Sequence, residues 1–174
     1  AKNIENDGIL FVGSSDWISD DWLPYACYYM KNGVDIIGKH DFYMIDFSKG
    51  KYRCCHWHGY GLNNERHSET IGIGRLISSS LLKKIDYKPF IDTLNNSMDH
   101  CMSMKALSNK SKIKIIDIQK SKFLSISCDL WSNMHSFNNH YNGALNKLDI
   151  KNYYFKIYDN TVLFEYNNLI NEFP

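Results

Sequence analysis

The order of apolar and polar positions along the chain predicts alternating strands and helices. The apolar run at 8–13 ends in glycine and two serines, as expected for a buried strand followed by a turn. Residues 20–33 begin with two acidic residues and end at Gly33, which is typical of a helix with its start and stop signals. Apolar residues near helical spacing predict further helices over 68–85, 89–107 and 129–145.

Two segments have the alternation and the turn residues of β-hairpins. Residues 40–59 hold two strands around Lys49-Gly50, and residues 151–167 hold two strands around Asp159-Asn160. Because helices and strands interleave while the hairpins make the pairing antiparallel, the sequence predicts an α+β fold. We expect a single domain over residues 1–174, with a largely antiparallel sheet and about four helices. The remaining predicted strands cover 113–118 and 123–128.

Composition and charge narrow the classes of function. With 174 residues, 44% hydrophobic and 22% charged, the chain can bury one core without metal or disulfide support. The net charge of +1 gives no overall field that favours nucleic acid or an anionic membrane. No apolar run approaches the roughly 18 residues that would indicate a membrane span. We therefore expect the partner to be another protein, and neither a membrane nor nucleic acid.

The five cysteines show none of the spacings of a disulfide framework. Their neighbours are mostly apolar or aromatic, as expected for free thiols that act as small buried hydrophobic groups. Free thiols are typical of a reducing compartment, so the sequence predicts a cytoplasmic protein. The cysteines are Cys27, Cys54, Cys55, Cys101 and Cys128.

The stretch at 51–61, KYRCCHWHGYG, concentrates four metal-capable side chains in five positions. If Lys49-Gly50 forms a two-residue loop, the hairpin pairs Tyr43 with His56 and Asp41 with His58. These four side chains then share one face, because the side-chain period of a strand is two. The candidate partner-binding residues are Asp41, Tyr43, His56, His58 and, from the opposite face, Trp57.

This histidine and aspartate cluster has three interpretations. In a metal site, the ligands would be His56, His58 and Asp41, with Cys54 or His67 as a further ligand, and zinc would be the metal. In a metal-free site, the aspartate would orient one imidazole for acid–base chemistry. In a purely structural strand, the histidines would hydrogen-bond to their neighbours. We expect no cofactor, with zinc as the exception that the first interpretation requires.

Two classes of function follow from these observations. The chain lacks a complete catalytic motif and is rich in the tyrosine and tryptophan that anchor interfaces, which favours a protein-binding module. Single-domain inhibitors and toxin-neutralising immunity proteins, which act by occluding a partner protein, are analogies at the level of class. The alternative is a metal-assisted hydrolase that uses the His/Asp cluster of the hairpin.

Three other segments of the sequence carry weaker indications of function. Aromatic residues at 17–29 could stack on a sugar or base, but no basic residue is interleaved with them along the sequence. The lysine-rich segment at 109–122 fits a strand whose lysines protect a sheet edge. The segment at 70–75, TIGIGR, could present backbone amides and Arg75 to an anion at a helix N-terminus.

Overall fold

The computed structural model describes residues 8–14, 16–46, 53–60, 65–91, 98–118, 121, 123 and 125–129. The chain divides into two compact units, one of Ala1–Phe42 with His58–Ser127 and one of Tyr43–Trp57 with Cys128–Pro174. The elements are β1 Gly8–Phe11, β2 Asp16–Ile18, α1 Trp22–Lys31, β3 Ile36–Lys39, β4 Phe42–Asp46, β5 Arg53–Trp57, a 3₁₀ helix Glu65–Ser68, β6 Arg75–Ser78, α2 Ser79–Lys84, α3 Met98–Ser108, β7 Ile113–Ile116 and β8 Ser125–Asp129.

The first unit is built on a four-stranded mixed sheet with the order β1-β6-β3-β7. Strand β6 is antiparallel to both β1 and β3, whereas β3 and β7 are parallel. Strands β1, β3 and β7 therefore run in one direction and β6 runs in the other. The prediction of a largely antiparallel sheet is corrected here, because the chain between β3 and β7 is long enough for a parallel crossover.

Two further strand pairs lie outside the mixed sheet. In the first unit β2 pairs with β8 in antiparallel register, with Asp16 opposite Ser127 and Ile18 opposite Ser125. In the second unit β4 and β5 are neighbours, where the sequence predicts the first hairpin. The predicted turn at Lys49-Gly50 lies outside the described residues.

Helices cover both faces of the mixed sheet. On one face Ile37 and Leu76 pack against α1, which contributes Trp22, Ala26 and Met30. On the other face, Ile36 and Ile77 pack against α2 and α3 through Leu81, Leu82, Met102 and Ala106. Consecutive strand residues point to opposite faces, so a strand covered on both sides appears in the sequence as an unbroken apolar run.

This double coverage explains where the sequence prediction was wrong. The helix predicted over 68–85 is instead strand β6 at 75–78 followed by the short helix α2. Leu76 and Ile77 resemble a helical pair in the sequence but face opposite sides of the sheet. Helix α2 begins after Ser78, whose Oγ accepts a hydrogen bond from the N–H of Leu81 at 3.2 Å. The sequence analysis does not predict strand β3, because its residues are buried on both faces and show no alternation of apolar and polar positions.

Other predictions are confirmed, and some lie outside the described residues. Helix α1 and strand β1 lie where the sequence predicts them, and α3 covers Met98–Ser108 of the predicted helix, whose first residues, 89–91, are not helical. The described part of the chain contains three α-helices, compared with about four predicted. The hairpin at 151–167 and almost all of the helix at 129–145 lie outside the described residues. The single domain stays a prediction, and no helix among the described residues is long and apolar enough to cross a membrane.

Lys39 is a lysine buried in the core of the first unit. Lys39, the last residue of β3, is 0% exposed, and its Nζ donates a hydrogen bond to Ser125 Oγ at 2.8 Å. The same ammonium group lies 4.0 Å from the ring centre of Trp22. Burial lowers the pKa of Lys39 to about 7, although the nearby Asp41 carboxylate raises it. Lys39 therefore makes the fold sensitive to pH.

Replacing this lysine with methionine should change how stability depends on pH. Between pH 7 and about 10 the unfolded chain keeps the Lys39 proton while the folded chain loses it, so the free energy of unfolding rises with pH across this window. Below pH 7 both states hold the proton and the cost of burying the charge is at its largest. Lys39→Met should therefore be more stable than the native protein below pH 7, by on the order of a few kcal/mol, with the advantage shrinking toward pH 10.

Urea unfolding at several pH values measures this effect. The matched control is Lys83→Met, which removes an exposed lysine from α2 and should leave the pH dependence unchanged. A Lys39→Met variant with the native pH dependence would show that Lys39 is not the titrating group.

Candidate functional site

The carboxyl ends of β1, β3 and β7 and the amino end of β6 lie at one edge of the mixed sheet, here named the carboxyl edge. Ligands of open α/β sheets bind beyond the carboxyl ends of the strands. The segment at 69–75 crosses this edge. The N–H of Gly74 donates to Phe11 O at 2.8 Å, and the N–H of Ile71 donates to Lys39 O at 2.8 Å. The ends of β1 and β3 thus hold the segment in place.

A tryptophan fixes the point where this segment enters β6. The indole Nε1 of Trp22 donates a buried hydrogen bond to Gly74 O at 2.6 Å. Gly74 has a φ of +73°, and a Cβ at this position would come within 3.0 Å of the indole nitrogen. Only glycine meets both requirements, the positive φ and the close approach. Trp22 therefore joins α1 to the start of β6.

A buried arginine connects the same segment to α3. Arg75 is 1% exposed, and its Nε donates to Thr70 Oγ1 at 2.8 Å. Its Nη2 hydrogen-bonds to the carbonyl of Thr70 and, at 2.7 Å, to Oδ1 of Asp99. Asp99 lies in the first turn of α3 and is 34% exposed. This ion pair places the Asp99 carboxylate between the buried guanidinium and solvent.

The next residue of α3 is held in a similar way. His100 Nδ1 hydrogen-bonds to Oε1 of Glu69, while Oε2 of Glu69 accepts from Arg66 Nε at 2.8 Å. Glu69 is buried, whereas His100 is 38% exposed. A carboxylate on one ring nitrogen fixes the orientation and the tautomer of a histidine. Nε2 has no hydrogen bond to any described residue, which leaves it to exchange protons with a ligand.

A tyrosine completes the group. The Arg66 guanidinium lies 4.0 Å from the ring centre of Tyr60. Burial raises the pKa of Tyr60. Among the neighbouring charges, Arg66 lowers this pKa and Asp99 raises it. The phenol therefore remains a neutral donor near these charges. We name as the acid–base cluster Tyr60, Arg66, Glu69, Thr70, Arg75, Asp99 and His100.

The structure buries one of the residues that the sequence predicts as a partner-binding site. Asp41 is 2% exposed, and its Oδ1 accepts a hydrogen bond from the N–H of Ile118 at 3.0 Å. The same oxygen lies 3.9 Å from Nδ1 of His40. Asp41 thus satisfies a buried backbone donor beyond the end of β7. His58, which belongs to the same unit, is exposed.

The other three predicted residues belong to the second unit. The rings of Tyr43 and His56 stack with centroids 4.6 Å apart and an angle of 22°. This is the pair that the predicted hairpin register places opposite each other. Tyr43 is buried, whereas His56 and Trp57 are half-buried. The role of these residues in partner binding stays a prediction.

The predicted metal site gains no support from the geometry. Within the residues that the structure describes, no three His, Cys, Asp or Glu side chains form a group that could hold a metal ion. His67 is exposed on the 3₁₀ helix, where its Nε2 lies 3.2 Å from Ser68 Oγ. The side chain of Cys54 lies outside the described residues. Metal binding through His56, His58 and Asp41 stays a prediction.

Sequence reasoning missed the acid–base cluster apart from Arg75. It placed Arg75 at a helix N-terminus, facing an anion, but Arg75 begins strand β6 and is paired with Asp99. Glu69 and His100 are 31 positions apart, so no local spacing connects them. The available signal was the polar run at 65–70, which precedes strand β6 by four residues. The predicted helix over 68–85 included its last three residues.

The buried ion pair predicts a large loss of stability when only its acidic partner is removed. Asp99→Ala leaves the Arg75 guanidinium buried without its carboxylate, which should cost about 2–4 kcal/mol of unfolding free energy. The double variant Arg75→Met with Asp99→Ala should recover most of this loss, because it removes the buried charge as well. Urea unfolding of both single variants and the double variant measures the coupling, and additive effects would contradict a buried ion pair.

No protein-family model matches the chain, and no curated protein or solved structure is similar to it. Its function is therefore argued from the geometry of the acid–base cluster.

Proposed function

We propose that the protein is an enzyme that activates a hydroxyl group or a water molecule by acid–base catalysis at the carboxyl edge. The observation that carries this proposal is the hydrogen bond between the buried Glu69 and the partly exposed His100. It leaves Nε2 of the imidazole directed away from its carboxylate partner. A substrate hydroxyl within hydrogen-bond reach of Nε2 would give up its proton there.

The neighbouring groups supply the other functions that such a reaction needs. Asp99 directly precedes His100, and Arg75 occupies its Oδ1, so Oδ2 can accept a hydrogen bond from the same substrate. Tyr60 supplies a neutral phenol as a donor to developing negative charge. In this proposal His100 is the base, Asp99 is the hydrogen-bond acceptor and Tyr60 is the donor. An acid–base site needs such groups with different protonation chemistry.

The charge balance of the cluster indicates the kind of ligand. Arg66 is paired with Glu69 and Arg75 with Asp99, so neither guanidinium is left to bind a phosphate or a carboxylate. A polar ligand without strong negative charge fits this balance. The proposal keeps the enzyme class of the alternative prediction, the hydrolase, but assigns it to different residues.

Protein binding remains the second candidate function, as an inhibitor or an immunity protein would require. The observation that favours it is Tyr28 on α1, which is 62% exposed and packs edge to face against Tyr29. The predicted contacts His56, Trp57 and His58 are retained in this proposal, because none of them is fully buried. A cytoplasmic location also stays a proposal, supported by the free thiols of Cys27 and Cys101.

The catalytic proposal is tested with two variants that keep the shape of the site, His100→Gln and Asp99→Asn. The purified full chain is screened for turnover of p-nitrophenyl esters, p-nitrophenyl glycosides and p-nitroanilides, and the best substrate is used for kinetics. We expect His100→Gln to lower kcat/KM by about 10²–10⁴-fold, because it removes the proton acceptor while retaining a hydrogen-bonding side chain. Asp99→Asn should reduce it less.

The matched control is His67→Gln, which changes an exposed histidine in the neighbouring 3₁₀ helix and should keep the native rate. Circular dichroism and thermal unfolding show whether each variant is folded. Absence of turnover in all three substrate classes, or a folded His100→Gln variant with native kcat/KM, would contradict the proposal.

A further inference from the structure

Three tyrosines form a continuous aromatic cluster along α1. Tyr25 and Tyr29 lie four positions apart and therefore share a helix face, with ring centroids 4.9 Å apart. Tyr28 meets Tyr29 edge to face at 5.3 Å. Phe123 closes the cluster at 4.4 Å from Tyr25. Tyr28 projects furthest from this group, with more than half of its surface in solvent.

Strand β7 brings lysines to this cluster. Ile116 packs in the core beneath α1, so alternation along β7 directs Lys114 to the same side of the sheet, and Lys112 directly precedes the strand. The ammonium group of Lys114 lies 4.2 Å from the ring centre of Tyr29, which demonstrates this orientation. Lys112 is exposed, and Lys31 adds a further exposed charge in the last turn of α1.

The sequence separates these two groups by some eighty positions, and only the parallel pairing of β3 with β7 joins them. We name this patch the tyrosine–lysine surface and define it as Tyr25, Tyr28, Tyr29, Lys31, Lys112 and Lys114. The fold thus interleaves basic and aromatic groups that appear as separate features in the sequence.

None of the six residues that define this surface is acidic. None of its three lysines forms an ion pair with a described acidic side chain. The Asp35 carboxylate accepts hydrogen bonds from the N–H of Lys112 and the hydroxyls of Ser78 and Ser80, so one negative charge lies beside the three lysines. The surface is therefore positively charged and complementary to an acidic ligand.

We propose that the tyrosine–lysine surface binds an acidic segment of another polypeptide. Tyrosines are the side chains that most often anchor protein interfaces, and uncompensated lysines around them select a negatively charged partner. Burial and a hydrogen bond with Tyr29 raise the pKa of Tyr25 to about 12, so the Tyr25 phenol remains neutral. This binding function is separate from the acid–base chemistry of the carboxyl edge.

The packing of the rings distinguishes this ligand from nucleic acid. The tyrosine rings cover one another at tilted or perpendicular angles, so they do not offer a row of open faces on which successive bases could stack. Three lysines on a chain with a net charge of +1 also give a weak field for a polyphosphate. An acidic polypeptide needs only local charge complementarity.

The test measures binding of short fluorescein-labelled poly-L-glutamate to the full chain by fluorescence anisotropy at low salt. Reversing two charges, in Lys112→Glu with Lys114→Glu, should weaken binding by about tenfold or more, because the new carboxylates repel the probe. Tyr28→Ala should weaken it several-fold. The matched control is Lys83→Glu with Lys84→Glu, which makes the same change in net charge on α2 and should bind as the native protein does.

Three outcomes would overturn the proposal. The native chain could fail to bind poly-L-glutamate, the control variant could lose as much affinity as the Lys112 and Lys114 variant, or the chain could bind an oligo-dT or phosphatidylserine vesicles more tightly than the polypeptide. Thermal unfolding establishes that the variants are folded. Turnover measured on the same variants separates this proposal from the catalytic one, since neither lysine belongs to the acid–base cluster.

Discussion

The hydrogen bond from the Trp22 indole to the carbonyl of Gly74 is the contact on which the first unit depends most. It lies at the meeting point of α1, the start of β6 and the buried ammonium group of Lys39. Trp22 is fully buried, so its N–H must find an acceptor within the protein, and the acceptor it finds is at the carboxyl edge. The packing of α1 on the sheet and the path of the segment at 69–75 are thus set by one side chain.

The acid–base cluster adds charged groups to this apolar framework. Arg75 and Glu69 are both buried, and burying charges is costly unless each one is paired and hydrogen-bonded. Here each has a partner that reaches toward solvent, Asp99 for the arginine and His100 for the glutamate. A core that needed only stability would use apolar residues at these positions. The arrangement is instead typical of a site that presents oriented, partly exposed polar groups to a ligand.

Sequence patterns predicted the elements whose signals are local. Helix α1 is recognisable from its acidic start and from Gly33, which has a φ of +83° after the last turn. The stack of Tyr43 on His56 could be predicted from hairpin register alone. Strands β3 and β6 could not be recognised, because helices cover both their faces and remove the alternation on which strand prediction relies.

The candidate site was harder to predict, because its contacts join distant positions. The burial of Asp41 depends on the backbone of Ile118, which is 77 positions away. The Glu69 and His100 pair likewise depends on how α3 meets the segment before β6. Residue types indicate which chemistry is available, but only the tertiary fold decides which groups meet.

The alternation of β7 has a consequence for how this segment can change in evolution. Ile116 packs beneath α1 and Ile113 packs against the core of α2 and α3, so the two sides of the strand alternate. A substitution alters one side only. An insertion or deletion of a single residue would exchange the two sides, turning Lys114 toward the α2 and α3 core and removing Ile113 from it. Homologous chains that keep this fold should therefore vary in residue type along β7 while conserving its length.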